Sequence, residues 1–482
     1  MILKQYYLGC LAHASYLIAD DVTKTAVVVD PQRDIGQYLA DADAGGFTIR
    51  YVFLTHFHAD FLAGHIELRN QAGAEICMGR RAQAEFEHRP LKDGEVIAFG
   101  DVRIQILETP GHTPEGISLL VFDEAVSATV PHAVLTGDTL FIGDVGRPDL
   151  LASVGVTADQ LAEMLYQSLE KLRRLPDSTL VYPAHGAGSL CGRSLSKETV
   201  STMGEQKRVN YALQPMAFQV FRELVTSEQP EAPEYFIYDA VRNRQERPDL
   251  GSTLRTSLNA LDADDVIRLA AMGAQLLDVR DAIDFEGASL TGAINIGLRG
   301  KYATWAGSML DHTAPLIVIG DGEDEEEAVM RLGRIGFDNV VGYLKGGMRA
   351  LESRPELVQT VPRVTAAAVA EQLSSGSAAF VLDVRSDKEH GIVHLDGSCN
   401  IPLTHLRERI AEIPKDRPVV VHCEGGYRSA IACSLLVRAG YSNVSDMVGG
   451  IKAWIATTLP TVPENTLTCG RKICEIPLES TT

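Results

Sequence analysis

The sequence predicts an α/β multidomain protein, on three observations. The chain has 482 residues, which at about 150 residues per domain suggests roughly three domains. Eight of its thirteen histidines (13, 56, 58, 65, 88, 112, 132 and 185) precede residue 190, several directly after apolar runs that read as buried strands. The second half repeats itself with a period of 103 to 105 residues, a unit too long for a solenoid and therefore a duplicated domain.

Composition narrows the function classes. With 45% hydrophobic and 22% charged residues the chain is globular rather than disordered. Net charge is 44 − 64 = −20, which removes a basic nucleic-acid footprint and disfavours an anionic membrane surface. An anionic substrate must then be held by local cations. No apolar run approaches the ~20 residues of a membrane span. The apolar N-terminus lacks a basic flank and is interrupted by Tyr6, Tyr7, His13 and Ser15, so it reads as two strands rather than a signal peptide. Eight scattered Cys do not form a disulfide framework, and the expected location is the cytoplasm.

The first domain is placed at 1–250. YVFLT precedes His56, RIQILETPG precedes His112, AVLTG precedes Asp138 and TLVYPA precedes His185. A donor at the end of each buried strand builds a site at one edge of the sheets. The densest signal is Thr55-His-Phe-His-Ala-Asp60, where a turn after a strand aims His56, His58 and Asp60 into one space. With His112 and Asp138 as distant ligands, the set suits Zn or a two-His-one-carboxylate Fe(II) site. His65, His88 and His132 read as core or turn residues.

The duplicated domains follow at 258–355 and 364–458, with linkers near 246–257 and 353–363 and a tail at 459–482 that carries Cys469 and Cys474. Gln275–Arg280 matches Phe380–Arg385, Gly292–Ile296 matches Gly397–Ile401, and Lys345–Ala350 matches Val448–Ala453. Each copy alternates short apolar strands with helical stretches, giving a small α/β domain around a parallel sheet. In the second copy, Val419-Val-Val-His422 runs into Cys423-Glu-Gly-Gly-Tyr-Arg428-Ser429 and then an apolar helix. A thiolate there is stabilised by loop N–H groups and the helix dipole, with Arg428 adding charge at the rim. Cys433, within the helix, reads as core. In the first copy Gly320 stands opposite Cys423 and Glu325 opposite Arg428. That loop has no nucleophile and six carboxylates, so the domain reads as catalytically inactive, its acids a solvated helix start.

Residues 1 to about 195 resemble the metallo-β-lactamase superfamily, whose fold is an αββα sandwich. The family's HxHxDH motif departs here at Phe61, which cannot ligate, so the resemblance implies a crippled second metal position. TxHxHAD, ETPGHTPEG, TGDTLFIGDVGR and PAHGAGSLCG are similar to the persulfide dioxygenase branch. That resemblance implies one Fe(II) per chain on His56, His112 and Asp138, with His58, Asp60 and His185 orienting ligands or waters. A facial triad leaves three open positions, enough for a persulfide sulfur and O₂ together. It also implies that Arg147 binds the carboxylate of a thiol carrier, and it makes Cys191, in the Gly-rich loop after His185, a candidate functional thiol.

The CxxGxRS loop and the DVR motifs resemble rhodanese sulfurtransferases. Carried over, Cys423 is the nucleophile, Arg428 assists it, and Glu424, Gly425, Gly426 and Tyr427 surround the sulfane sulfur. The domain order resembles the bacterial three-domain persulfide dioxygenase–sulfurtransferases. What that implies is sulfide detoxification: a low-molecular-weight thiol persulfide (on glutathione, coenzyme A or another carrier) is oxidised by O₂ to sulfite and free thiol. A Cys423 persulfide then converts sulfite to thiosulfate. The protein is expected to be a homo-oligomer, dimer or tetramer, with no nucleic-acid or membrane partner. Two other classes compete. A Zn thioester hydrolase resembling glyoxalase II is opposed by Phe61, and a non-enzymatic sulfur-relay scaffold is opposed by the intact HxH, GH and GD set.

Overall fold

The computed structural model describes residues 1–150, 155–227, 229, 231–375 and 379–463. The chain divides into two compact units, Met1–Leu254 with Met330–Asp338, and Arg255–Val329 with Asn339–Thr482.

The first unit is built on two six-stranded sheets. One runs in simple order through Ile2–Leu8, His13–Asp20, Thr25–Val29, Thr48–Phe53, Glu75–Gly79 and Arg89–Leu91. The N-terminal stretch is therefore an antiparallel strand pair, with Ile2 opposite Ala19 and Leu8 opposite His13. The other orders Ser201–Thr202, Leu180–Pro183, Ala133–Gly137, Ile117–Asp123, Val102–Glu108 and Val96–Phe99.

The strand Ile117–Asp123 shows why the sheets stack. Ile117, Leu119 and Val121 face the core between the sheets with Val27, Val29, Phe53 and Ile104. Leu120 and Phe122 face the opposite side, where Leu165, Leu169 and Leu172 of the helix Ala158–Leu172 cover them. Strict alternation puts successive apolar side chains on opposite faces, so a strand apolar throughout must be covered on both. Thr157 and Gln160 close a capping box at the start of that helix. Tyr38 and Ala42 are buried on the helix Gly36–Gly45, and Ile66 and Leu68 on His65–Ala72. The layering is αββα.

The second unit holds two five-stranded parallel sheets with the same strand order. In the first copy the order is Ala260–Leu261, Val340–Leu344, Leu316–Ile319, Gln275–Asp278, Ile294–Asn295. In the second it is Arg363–Val364, Val444–Met447, Val419–His422, Phe380–Asp383, Cys399–Asn400.

The stretches expected to be linkers carry structure. Leu250–Ser257 is a helix, and Val358–Gln359 pairs with Ser289–Leu290. Their charged and Pro-containing sequence hid short elements whose stability comes from packing rather than propensity. Cys469 and Cys474 lie outside the described residues. Among the described residues no helix is long and apolar enough to cross a membrane.

Candidate active sites

The strand Thr48–Phe53 ends just before the turn that carries His56, and Asp138 follows the strand Ala133–Gly137 directly. Gly137 has φ +53, and a Cβ there would meet Thr55 Oγ1 at 2.5 Å. Only glycine lets these two strand ends approach so closely. The approach brings His56, His112 and Asp138 together, all buried, with one ligand atom from each within 4.8 Å of the others. Asp138 Oδ2 lies 3.6 Å from His56 Nε2 and 3.5 Å from His112 Nε2.

The hydrogen bonds behind this trio decide which nitrogens face inward. His112 Nδ1 sits 2.9 Å from the Arg147 carbonyl, which can only accept, so Nδ1 carries the proton. Thr55 Oγ1 donates to Asp30 Oδ2 at 2.8 Å and therefore accepts from His56 Nδ1–H at 2.9 Å. Both Nε2 lone pairs are left toward Asp138, and His56 Nε2 is buried with no hydrogen-bond partner. Burial lowers the pKa of both imidazoles, holding them in the neutral form a metal requires. Burial works against the Asp138 carboxylate, but the surrounding histidines outweigh it and keep it ionised. This donor set fits a divalent metal with a 2-His-1-carboxylate face.

A second buried trio, His58, Asp60 and His185, also has ligand atoms within 4.8 Å of one another. His185 bridges two carboxylates, with Nδ1 2.8 Å from Asp138 Oδ1 and Nε2 3.0 Å from Asp60 Oδ2. Against the effect of burial, these carboxylates raise its pKa well above the usual value. His58 Nε2 lies 3.1 Å from Asp30 Oδ1. Phe61 is fully buried, its ring centroid 4.5 Å from that of His58 and 4.1 Å from that of His13.

Sequence reasoning missed two supports. Asn243 donates to the carbonyls of His58 at 2.8 Å and Phe61 at 2.7 Å, and accepts from Ala63 N–H at 2.9 Å. It staples the ligand loop from about 180 residues away, and nothing in the local sequence signals it. His13 is buried beside Phe61 with both ring nitrogens lacking hydrogen-bond partners.

The Arg147 guanidinium pairs with Asp149 at 2.7 and 2.6 Å, and its carbonyl accepts from His112 Nδ1–H. The Cys191 sulfur lies with Asp138 and His185 in one cluster. Burial pushes its thiol well above the usual pKa, the opposite of an activated thiolate.

In the second unit, Cys423 ends the strand Val419–His422 and faces the N-terminus of the helix Tyr427–Arg438. Gly426 N–H donates to Cys423 Sγ at 3.1 Å, and Sγ lies 3.5 Å from Ser429 Oγ. The side chains of Glu424, Tyr427 and Arg428 have partners of their own. Glu424 pairs with Lys452 at 2.8 Å. Tyr427 donates to the Gly297 carbonyl of the preceding repeat at 2.7 Å. Arg428 is held in a fork by Glu389, at 2.6 and 2.7 Å, which keeps the Glu389 carboxyl at about 2 despite partial burial. Glu389 was not foreseen, since its side chain also caps its own helix at Ser386 and reads as a capping box alone.

In the first repeat the acidic loop departs from a solvated helix start at one residue. Glu325 is only 5% exposed and accepts the Gly322 N–H at 2.9 Å. In this copy a loop amide turns to a carboxylate, one position earlier than the amide that faces the sulfur in the other copy.

The family model for the metallo-beta-lactamase superfamily matches residues 8–185, and that for the rhodanese-like domain matches 262–354 and 365–457. The mitochondrial persulfide dioxygenase ETHE1 of Bos taurus is 30% identical over 213 residues, spanning 44% of this chain and 75% of that protein. A hydroxyacylglutathione hydrolase of Bradyrhizobium sp. (strain ORS 278) is also 30% identical, over 46% of this chain and 79% of the relative. Among solved structures, a metallo-beta-lactamase from Staphylococcus aureus subsp. aureus COL superposes with a TM-score of 0.64 at 30% identity, covering 71% of this chain and 98% of that one. The chain belongs to the metallo-β-lactamase superfamily, as one such domain followed by two rhodanese-like domains, with persulfide dioxygenases among its homologues.

Proposed function

We propose that the protein is a non-haem Fe(II) persulfide dioxygenase coupled to a sulfurtransferase, acting in sulfide detoxification in the cytoplasm. The observation that carries this reading is the aim of the ligands: His56 and His112 present neutral Nε2 atoms to one side of Asp138, and Phe61 fills the space beside the second trio. His56, His112 and Asp138 would hold an Fe(II), which would supply the redox chemistry with O₂. The balanced reaction is RSSH + O₂ + H₂O → RSH + SO₃²⁻ + 2H⁺. The protein's part is positional. The Arg147 carbonyl and Thr55 fix the two imidazoles, His185 orients Asp138, and Phe61 keeps water and a second cation out.

In the last domain, the Cys423 thiolate attacks a sulfane sulfur, the donor's S–S bond breaks, and the donor leaves with the electron pair. The Gly426 N–H and the helix N-terminus hold the resulting Cys423 persulfide. Sulfite attacks its outer sulfur, releasing thiosulfate and the thiolate. Joining both activities in one chain raises the local concentration of sulfite at Cys423.

One specific observation favours a second reading. The His58–Asp60–His185 trio and the hydroxyacylglutathione hydrolase relative would suit a dinuclear Zn thioester hydrolase. Metal analysis after anaerobic purification, with O₂ uptake on glutathione persulfide, separates the two. The expected result is about one Fe per chain and O₂ uptake, both lost in His112→Ala. Two tightly bound Zn per chain, with thioester hydrolysis and no O₂ uptake, would overturn the dioxygenase reading.

A further inference from the structure

A cavity of about 170 Å³ opens beside the metal ligands, with Phe57, Pro114 and Glu115 in its wall and Arg81, Gln83 and Arg244 also lining it. Phe57 sits between His56 and His58, and Pro114 and Glu115 follow His112. Glu115 Oε1 accepts the Phe57 N–H at 3.0 Å, tying these two ligand-bearing segments together. One wall of the cavity is thus made by residues that closely follow two of the three candidate ligands in sequence.

The two arginines differ from their neighbours. Arg80, Arg147 and Arg247 each hold a carboxylate at 2.6 Å, from Glu108, Asp149 and Glu67 respectively. Among the described residues, Arg81 and Arg244 have no carboxylate within 4 Å. The Arg244 guanidinium lies over the Phe57 ring, 5.2 Å from its centroid, and its buried Nε has no hydrogen-bond partner. A buried donor left without a partner is costly unless something else satisfies it. Arg244 also follows Asn243, whose amide is bonded to the His58 and Phe61 carbonyls, so its backbone is fixed to the ligand loop. Arg81, which is exposed, and Arg244, which is half-buried, outnumber the Glu115 carboxylate that also lines the cavity, and in a chain of net charge −20 these two guanidinium forks form a local attraction for an oxyanion.

We propose that Arg81 and Arg244, with the Gln83 amide, form the anchor for an acidic oxygen group of the thiol carrier, a carboxylate or a phosphate remote from the persulfide sulfur. The substrate class is then an anionic low-molecular-weight thiol persulfide, and Arg147, already paired with Asp149, does not perform this role. The proposal rests on the dioxygenase reading for the identity of the sulfur group, but the anchor itself is tested by binding.

Full-length, metal-loaded protein is titrated anaerobically with three thiols: glutathione, which carries carboxylates; coenzyme A, which carries phosphates; and uncharged N-acetylcysteamine. In Arg81→Ala and Arg244→Ala the Kd for an anionic thiol should rise about tenfold each, and Arg244→Lys should recover part of the loss. Binding of N-acetylcysteamine should change less than twofold, and KM for the anionic persulfide should rise with Kd. Loss confined to glutathione identifies a carboxylate carrier, loss confined to coenzyme A a phosphate carrier, and either supports the anchor. Unchanged Kd for both anionic thiols, or equal weakening of all three, overturns it. If the wild type consumes no O₂ with any persulfide, the dioxygenase reading fails while the titrations still decide the anchor.

Discussion

The two rhodanese-like copies share a frame almost atom for atom and differ where the chemistry would be. Arg280 reaches Asp278 at 2.6 Å and the Ala288 carbonyl at 2.8 Å. Arg385 reaches Asp383 at 2.6 Å and the Val393 carbonyl at 2.7 Å. Asn295 donates to the carbonyls of Asp278 and Arg280, and Asn400 to those of Asp383 and Arg385. A Cβ on Gly347 would meet the Gly320 carbonyl oxygen at 2.4 Å, and one on Gly450 the Cys423 carbonyl oxygen at the same distance. At the loop the copies part: Gly426 N–H points to a thiol sulfur, Gly322 N–H to the Glu325 carboxylate. A loop of inward N–H groups needs an anion, and losing the thiol does not remove that need. The carboxylate meets it internally and leaves the scaffold intact without a nucleophile.

The largest effect expected from this difference is on sulfur transfer. Cys423→Ser should lower transfer between thiosulfate and a thiol by about 10³-fold or more, because a serine hydroxyl is protonated at neutral pH and cannot carry a sulfane sulfur. The product of persulfide oxidation should shift from thiosulfate to sulfite, quantified side by side in both proteins. In that background, Gly320→Cys alone should stay inactive, since its Cβ would meet Glu325 Oε1 at 2.8 Å. Only Gly320→Cys combined with Glu325→Ala removes the carboxylate from beside a new thiolate. Transfer by Gly320→Cys alone would break the account of why the first copy is silent.

What the sequence made legible follows the range of the interactions. His56, His112 and Asp138 each follow an apolar strand, so a shared site at one sheet edge could be read from the pattern, while the choice of these three as ligands rests on the resemblance to persulfide dioxygenases; Cys423 was legible from its own strand–loop–helix motif. The repeated DVR and Gly-Gly motifs gave the shared frame for the same reason. Asn243 could not be read, because it acts on a loop 180 residues distant. Arg428 looked available because Glu389 is 39 residues away, and the acids after Gly320 looked equivalent because only packing selects Glu325 to turn inward. Arg147 also pairs within its own loop: Asp149 lies two residues on, and an Arg-x-Asp spacing carries no signal that the pair closes on itself.

The shared frame gives a smaller effect that should be equal in both copies. Asp278 and Asp383 are fully buried and hold buried arginines. Removing one partner of a buried pair leaves a charge uncompensated, at about 3–5 kcal/mol. Asp278→Ala and Asp383→Ala should each destabilise their own copy by that amount. The chain's two tryptophans, Trp305 and Trp454, lie one in each copy. Urea unfolding followed in Trp305→Phe and Trp454→Phe backgrounds therefore reads the copies separately. Costs differing by more than about 2 kcal/mol would show that the frames are alike in geometry but not in energy.

The smallest effect concerns a group that only the first copy has. Glu286 is buried where the second copy has Gly391, and it lies electrostatically close to Asp446, with Arg363 paired to it at 2.8 Å. Burial, reinforced by Asp446, raises its carboxyl from 4.5 to about 8, and burial raises Asp446 to about 6. An acid whose folded pKa exceeds its unfolded one binds more protons in the native state, so stability falls as pH rises between the two values. Asp446 contributes to that fall up to about pH 6 and Glu286 up to about pH 8. His312, His390 and His422, whose pKa values burial lowers from an unfolded value of about 6.5, act in the opposite sense mainly below pH 7, so the window from pH 7 to 8 reports chiefly on Glu286. The melting transition of the rhodanese-like copies should drop by about 4–8 °C across that window, the shift that ~1 kcal/mol gives a domain of this size. Glu286→Gln should flatten it, while the metal-binding domain's transition keeps its own pH dependence. An unchanged slope in Glu286→Gln would mean that Arg363 keeps the carboxylate ionised throughout. The first copy's departure from the second would then be confined to its loop.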